Sequence, residues 1–221
     1  MAITRTAPAS AQGEGLSLTI PAYPCAGADR VLMVSADIMS NTNESVVSVT
    51  YGGVPLTRVQ GCSLGARNNY IPGQGWVVTR PGLTTELWVL INPSDVASDV
   101  VVTLTGSAKA ITSALCIQGV AQVNPNYYSN NGIGDNVQSI PLQVDLRDGF
   151  LIYGGGLVLA DTYSDLKPGQ EELWNTLYAT GEFRVQGIWL LSTVTVDMLV
   201  DNTLRQAAPW AISLLGFAPA I

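Results

Sequence analysis

Short runs of β-branched and aromatic residues recur along the whole chain, broken every few positions by Gly, Pro, Asn or Asp. Such punctuation leaves room for strands and little room for helices of ordinary length. Strands are expected near Leu16 to Ile20, Val31 to Ile38, Val46 to Tyr51, Val54 to Val59, Gly75 to Thr79, Thr85 to Ile91, Val100 to Thr105 and Ala110 to Gln118. In the second half they are expected near Val137 to Val144, Phe150 to Leu159, Glu172 to Tyr178, Phe183 to Leu191 and Trp210 to Phe217. Alternation places Val100, Val102 and Leu104 on one face, as in a sheet with one buried side. Val31 to Val34 and Phe150 to Tyr153 are apolar on both faces, so these strands are either covered twice or lie under an intersubunit contact. Thr193 to Leu204 reads equally as a strand or a short helical turn. The expected fold is all-β: a single large antiparallel β-sandwich, jelly-roll-like, over residues 15–221, preceded by a flexible N-terminal arm over 1–14. Asn124 to Asn136 reads as a long loop crossing between sheets.

Hydrophobic residues make up 47% of the 221 and charged ones only 12%, about half of the roughly 25% usual in soluble domains. Ser, Thr, Asn, Gln and Gly must cover the surface, and such a surface is cheaper to desolvate against a partner subunit. The net charge of −7 and the scattered cations, such as Arg30, Arg58, Arg80, Lys109, Arg147 and Lys167, argue against nucleic acid, whose affinity comes from clustered Lys and Arg. Histidine is absent. This chain therefore builds no Ser-His-Asp or Cys-His arrangement and no His-ligated metal site. Cys25, Cys62 and Cys116 are too few for a disulfide framework. They are expected as free thiols, with Cys116 in the core and Cys25 and Cys62 in turn-rich, more accessible stretches. Met1 to Gly15 does not read as a signal peptide, and no apolar run approaches the roughly 18 residues of a membrane helix. Synthesis in a cytoplasm, without membrane association, is expected. Asn43-Glu44-Ser45 matches a glycosylation sequon.

Paired carboxylates serve jelly-roll glycosidases, and Glu86, Glu171, Glu172 and Glu182 are the candidates. Nothing in the sequence sets a second acid beside Glu86, so no catalytic residue is expected. The stretch around Asn126, Tyr127, Tyr128, Asn130 and Asn131 joins aromatic faces to amide donors, which suits either a glycan or an assembly contact. Asp161 and Asp165, in the loop that runs on to Gln170, lack calcium-loop spacing. With Asp135 they are the first places to look for an oxygen-ligated cation, but no metal or cofactor is expected. Gly154-Gly155-Gly156 lacks the surroundings of a phosphate cradle and reads as a bulge or a close backbone approach.

Read in order, several segments resemble a jelly-roll or concanavalin-like β-sandwich family common in bacteriophage virion proteins and bacterial secreted proteins. They are Leu18-Thr19-Ile20-Pro21-Ala22, Val31 to Val34, the hairpin Val46 to Val59 turning at Gly52-Gly53, Glu86-Leu87-Trp88-Val89-Leu90, Asn92-Pro93, Val100 to Thr105 and Ala114 to Val120. The resemblance covers roughly the first 120 residues and continues loosely through Asp148 to Leu151 and Trp210 to Ala220. It implies no shared catalytic residues. With the low charge, it points to a non-enzymatic virion structural protein made in the host cytoplasm: a capsid decoration or cement protein that contacts itself and a major capsid protein. A tail or fibre component and a carbohydrate-binding lectin-like module are the alternatives.

Overall fold

A computed structural model describes residues 3–123, 126–132, 137–144, 151–159, 170–191, 196–203 and 210–220, with side chains for most of 3–123, 171–187 and 211–220. The fold is all-β, with antiparallel pairing throughout these residues and no helix among them.

The first sheet is organised by one long strand, β10 (Ser98–Gln118). Along one side runs β2 (Ala9–Tyr23), with β1 (Thr4–Arg5) continuing the pairing at the far end. Along the other run β3 (Val31–Ser40) and then β4 (Val46–Tyr51). The sheet is extended by β9 (Gly82–Ile91) beside β3, β6 (Thr57–Leu64) beside β9, and β5 (Val54–Pro55) beside β4. Only Leu56 separates β5 from β6, and its N–H donates to Val49 O at 2.8 Å. The sheet therefore curls until it nearly closes on itself. Gly52 and Gly53, at φ 56° and 82°, supply the two left-handed positions that a tight β4–β5 hairpin requires.

Curling divides the apolar residues into two cores. Inside the curl lie Leu18, Ile20, Leu32, Val34, Ile38, Val49, Tyr51, Trp88, Val100, Val102 and Leu104. Between the curled sheet and a second sheet lie Val31, Met33, Leu83, Leu87, Ile111, Leu115, Phe183, Val185, Leu215 and Phe217. All ten residues of β3 are buried because one face serves each core, which resolves the two-sided run Val31 to Val34 in favour of double covering. The expected alternation holds too: Val100, Val102 and Leu104 are buried, and Val101 and Thr103 between them are half-exposed.

The second sheet runs in the order β11 (Asn126–Gly132), β17 (Trp210–Phe217), β13 (Leu151–Leu159), β15 (Phe183–Leu191), β14 (Gln170–Leu177). Two ribbons pair outside both sheets: β12 (Val137–Val144) with β16 (Val196–Thr203), where β12 lies against β11 and β17, and β7 (Arg67–Ile71) with β8 (Gly75–Arg80). The second sheet lays β17 across β9 and β6. It has one tight point, where Gly187 of β15 leaves space that the Trp174 indole fills. A Cβ at Gly187 would come within 2.6 Å of ring atoms Cδ2 and Cζ2. Gly187→Ala should therefore lower stability by about 1–3 kcal/mol as the indole is forced off its rotamer, measured by urea denaturation.

Several expectations are corrected. Residues 1–14 were set apart as an arm, yet Thr4–Arg5 and the first part of β2 are laid along β10. Val100 to Thr105 and Ala110 to Gln118 are one strand, bent where the register shifts between Thr103 and Ala108 around Gly106. Asn126 to Gly132 is a strand paired with β17, because an Asn-rich segment on a sheet edge obtains its backbone partners from the ladder. Val196–Thr203 resolves as a strand. The three glycines Gly154 to Gly156 make no bulge, since β13 pairs without a register shift on both sides. Cys25 and Cys116 are not free thiols: they form a disulfide across a Cα separation of 5.3 Å, and Cys62, the remaining cysteine, is buried rather than accessible. A separation of 91 residues in sequence hides a contact made when the segment after β2 returns to the end of β10.

Candidate functional site

The two sheets meet along a polar seam. Arg5 on β1 pairs with Glu171 on β14 at 3.0 Å, Gln12 Oε1 on β2 accepts from the Ala179 N–H at 3.0 Å, and Lys109 on β10 pairs with Glu182. Lys109 Nζ reaches both carboxylate oxygens, with Oε1 at 2.6 Å. The pairing raises the Lys109 pKa and lowers that of Glu182, the mutual hydrogen bond being the largest cause in each case. Both groups are too accessible for the pair to contribute much to stability. The pair lines a cleft of about 480 Å³ together with Glu14, Met39, Ser40, Thr42 and others. Beside it, Glu44 accepts from Ser40 and Thr42, and these hydroxyls hold its carboxyl below the usual range. The cleft is lined by hydroxyls, carboxylates and the Lys109 ammonium, with Met39, Pro81 and Ala108 as apolar lining. That lining suits a small polyhydroxylated or cationic molecule.

Glu86 does not sit at a strand edge. It lies in the middle of β9, 1% exposed, inside the curled sheet. Its Oε1 accepts from the Val46 N–H at 3.1 Å, and Arg58 Nε stands 2.8 Å from Oε2 as an ion pair whose angle falls outside a hydrogen bond's. The carboxylate thus ties β9 to the start of β4 and to β6 across the interior of the curl. Among the described residues no hydrogen bond or ion pair joins it to a second acid, and this arrangement is structural. Glu171 and Glu172 lie on the edge strand β14, the first bound to Arg5 and the second accepting from Asn175 and Gln186 at 3.0 Å each. With Glu182 in its lysine pair, the four acids considered for catalysis lie in three places, and the two on β14 are held by different partners.

A buried acid escaped the sequence reading. Asp37 lies on β3 on the face toward the second sheet, in a cross-strand row Ile111–Asp37–Thr85–Cys62 that spans β10, β3, β9 and β6. Ser35 Oγ donates to its Oδ2 at 2.9 Å, and Thr85 stands directly opposite in register. Burial pushes the carboxyl up to about 7, with the Thr85 and Ser35 hydroxyls pulling back part of the way. The signal was available: Asp37 is the one charged residue in the apolar run Val31 to Ile38.

The candidate contact residues Asn126, Tyr127, Tyr128, Asn130 and Asn131 fall on β11, facing Gly216, Leu215, Leu214, Ile212 and Ala211 of β17 in register. Their side chains lie outside the described residues, as do Asp135, Asp161 and Asp165. Among the described residues no cluster of three or more His, Cys, Asp or Glu could hold a metal ion.

No family model, curated protein or solved structure matches the chain. The function must be argued from its own surfaces. The most regular of these is the outer side of β2, β10 and β4, where the register aligns Ser17–Thr103–Ser48 in one row and Thr19–Val101–Thr50 in the next. Ser17 and Thr19 are exposed and the other four half-exposed. Neither row contains a charge.

Proposed function

We propose that this chain is a non-enzymatic structural protein of a virion, a capsid decoration or cement protein that associates with copies of itself and with a major capsid protein. The observation that carries the reading is the pair of uncharged Ser/Thr/Val rows across β2, β10 and β4, bordered by the exposed Asp99. Burying hydroxyls and a valine against a partner avoids the several kcal/mol that desolvating unpaired ions requires, so such a face suits a contact repeated over a particle. A body braced by two cores and a buried disulfide also suits a shell exposed to the medium, since disulfides persist on virion surfaces and are rare in a reducing cytoplasm. The sequence resemblance points the same way. A tail or fibre position uses the same physics and ranks second.

The test is co-sedimentation with particles assembled from the genome that encodes the chain. Wild-type protein should pellet with particles in fixed stoichiometry. A charge at the centre of the face, Thr103→Lys, should weaken that association by at least about tenfold, the effect of roughly 1.4 kcal/mol, without changing the circular dichroism spectrum. No pelleting of folded wild-type protein would refute the reading. The cleft beside Lys109 favours a glycan-binding module as the other reading. Binding to immobilised saccharides that is lost in Glu14→Ala, in a protein indifferent to particles, would establish it instead.

A further inference from the structure

A short outer segment runs beside the buried disulfide. In it β1 pairs with Ile117 and Gln118 of β10, and the Thr6 N–H continues the ladder by donating to Cys116 O at 2.9 Å. Residues opposed in an antiparallel ladder carry their side chains on the same face. Thr6 therefore lies beside Cys116 on the side of the core inside the curl. Tyr23, which ends β2 two residues before Cys25, joins this segment to the disulfide. Its hydroxyl shares a 2.7 Å hydrogen bond with Thr6 Oγ1, donates to Ala7 O at 3.1 Å and accepts from the Cys116 N–H at 3.1 Å. Tyr23 is 2% exposed, and Cys25 and Cys116 are fully buried. One buried hydroxyl thus ties Thr6 and Ala7 both to the backbone of one half-cystine and to the strand end that leads to the other.

The segment's other ties are weak. Thr4 Oγ1 donates to Gln118 Oε1 at an exposed site, and Arg5 pairs with the exposed carboxylate of Glu171. Exposed contacts of this kind contribute little, and Pro8 interrupts the line before β2 begins at Ala9. The cysteines, in contrast, sit in the packed core with Leu32 and Val34. A region with few buried contacts opens at a lower free energy than the core beside it. We infer that residues 4–7 form a strap that gates the Cys25–Cys116 disulfide: its release from Tyr23 frees the segment that carries Cys25 and admits thiols while the two cores stay folded. With the strap off, one thiolate of a dithiol attacks a sulfur of the disulfide, forms a mixed disulfide and expels the other sulfur as a thiolate. The second thiol of the reagent then displaces the cysteine still bound. The chain gains two electrons and two protons as the Cys25 and Cys116 thiols, and the dithiol leaves as a cyclic disulfide. This inference is independent of the virion reading.

The rate at which dithiothreitol reduces the full chain, followed by alkylation and mass spectrometry across a series of low urea concentrations, tests the gate. Wild-type reduction should be nearly independent of urea below the unfolding transition, because a local opening exposes little surface and global unfolding responds steeply. Tyr23→Phe keeps the ring in the core and removes the shared hydroxyl. It should speed reduction at least about tenfold, the effect of losing a net hydrogen bond or two, with an unchanged far-UV spectrum. Thr6→Val, at a half-buried position, should act in the same direction by less. In the wild type the Thr6 and Cys116 amides should exchange ahead of the Leu115 amide in the middle of the sheet. Wild-type reduction that rises with urea in step with global unfolding would overturn the inference. So would two folded variants reduced at the wild-type rate, or a wild type reduced as fast as an unprotected disulfide peptide. If Tyr23→Phe does not fold, Thr6→Val and the wild-type urea series decide.

Discussion

Replacing both Cys25 and Cys116 with alanine should lower stability by roughly 4–5 kcal/mol and the melting temperature by roughly 10–15 °C. The disulfide closes a loop of 91 residues, and loop-closure entropy for a span of that length is worth about 4.6 kcal/mol in the unfolded chain. For a domain above 200 residues, each kcal/mol moves the midpoint by about 2–4 °C. Both sulfurs are buried inside the curled sheet beside Leu32 and Val34, so a reductant should reach them only after the segment following β2 lifts away. Urea denaturation of the oxidised protein and of the double variant checks the magnitude. A difference below about 1 kcal/mol would mean that the two cores alone hold the ends of β2 and β10 together.

The second large effect is on pH dependence. Asp37 has a folded-state value near 7 against an ordinary 3.8, so between these values the folded chain binds more proton than the unfolded chain. Its contribution is fully present below about pH 4 and is lost as pH rises to about 7, a loss of roughly 4 kcal/mol at most. Glu44 and Glu182 are shifted down and act with the opposite sign, but only below their ordinary value of 4.5. Among the described residues the window from about pH 4.5 to 7 therefore belongs to Asp37. The titratable residues on the same sheet face are Cys62, in its row, Lys109, whose ammonium is held by Glu182, Glu14 opposite Lys109, and Arg5 opposite Ile117. Denaturation midpoints should fall across this window in the wild type. Asp37→Asn keeps an acceptor for Ser35 without a charge, and should flatten the slope and leave the protein more stable than wild type at pH 7. A variant with the wild-type slope would show that Asp37 is ionised and solvated in the folded state.

The fold was legible where burial is simple. Alternation marked Val100, Val102 and Leu104, and the two-faced run Val31 to Val34 marked a strand either covered twice or under a subunit contact, of which the structure shows the first, because both patterns depend only on which faces meet water. Gly52-Gly53 marked its hairpin because only that conformation suits the turn. What stayed hidden depends on contacts distant in sequence. Glu86 gives no local sign that its partners are the Val46 amide and Arg58, and Cys25 none that it meets Cys116. Asn126 to Asn131 looked like a loop because Asn disfavours strands, and ladder bonds to β17 outweigh that preference. The ribbon was half seen: Gly75 to Thr79 read as a strand, but Arg67–Ile71 lacks the β-branched run that marks one. The uncharged rows across β2, β10 and β4 depend on register between three segments, which no single segment reveals.

The most direct test of the structural-protein reading is electron cryo-imaging of particles assembled from the genome that encodes this chain. Density for the two-sheet body is expected at symmetry-related positions on the particle exterior, with the β2–β10–β4 face turned toward the shell. Particles that assemble fully and show no such density, while the purified chain remains folded and abundant in the same cells, would contradict it.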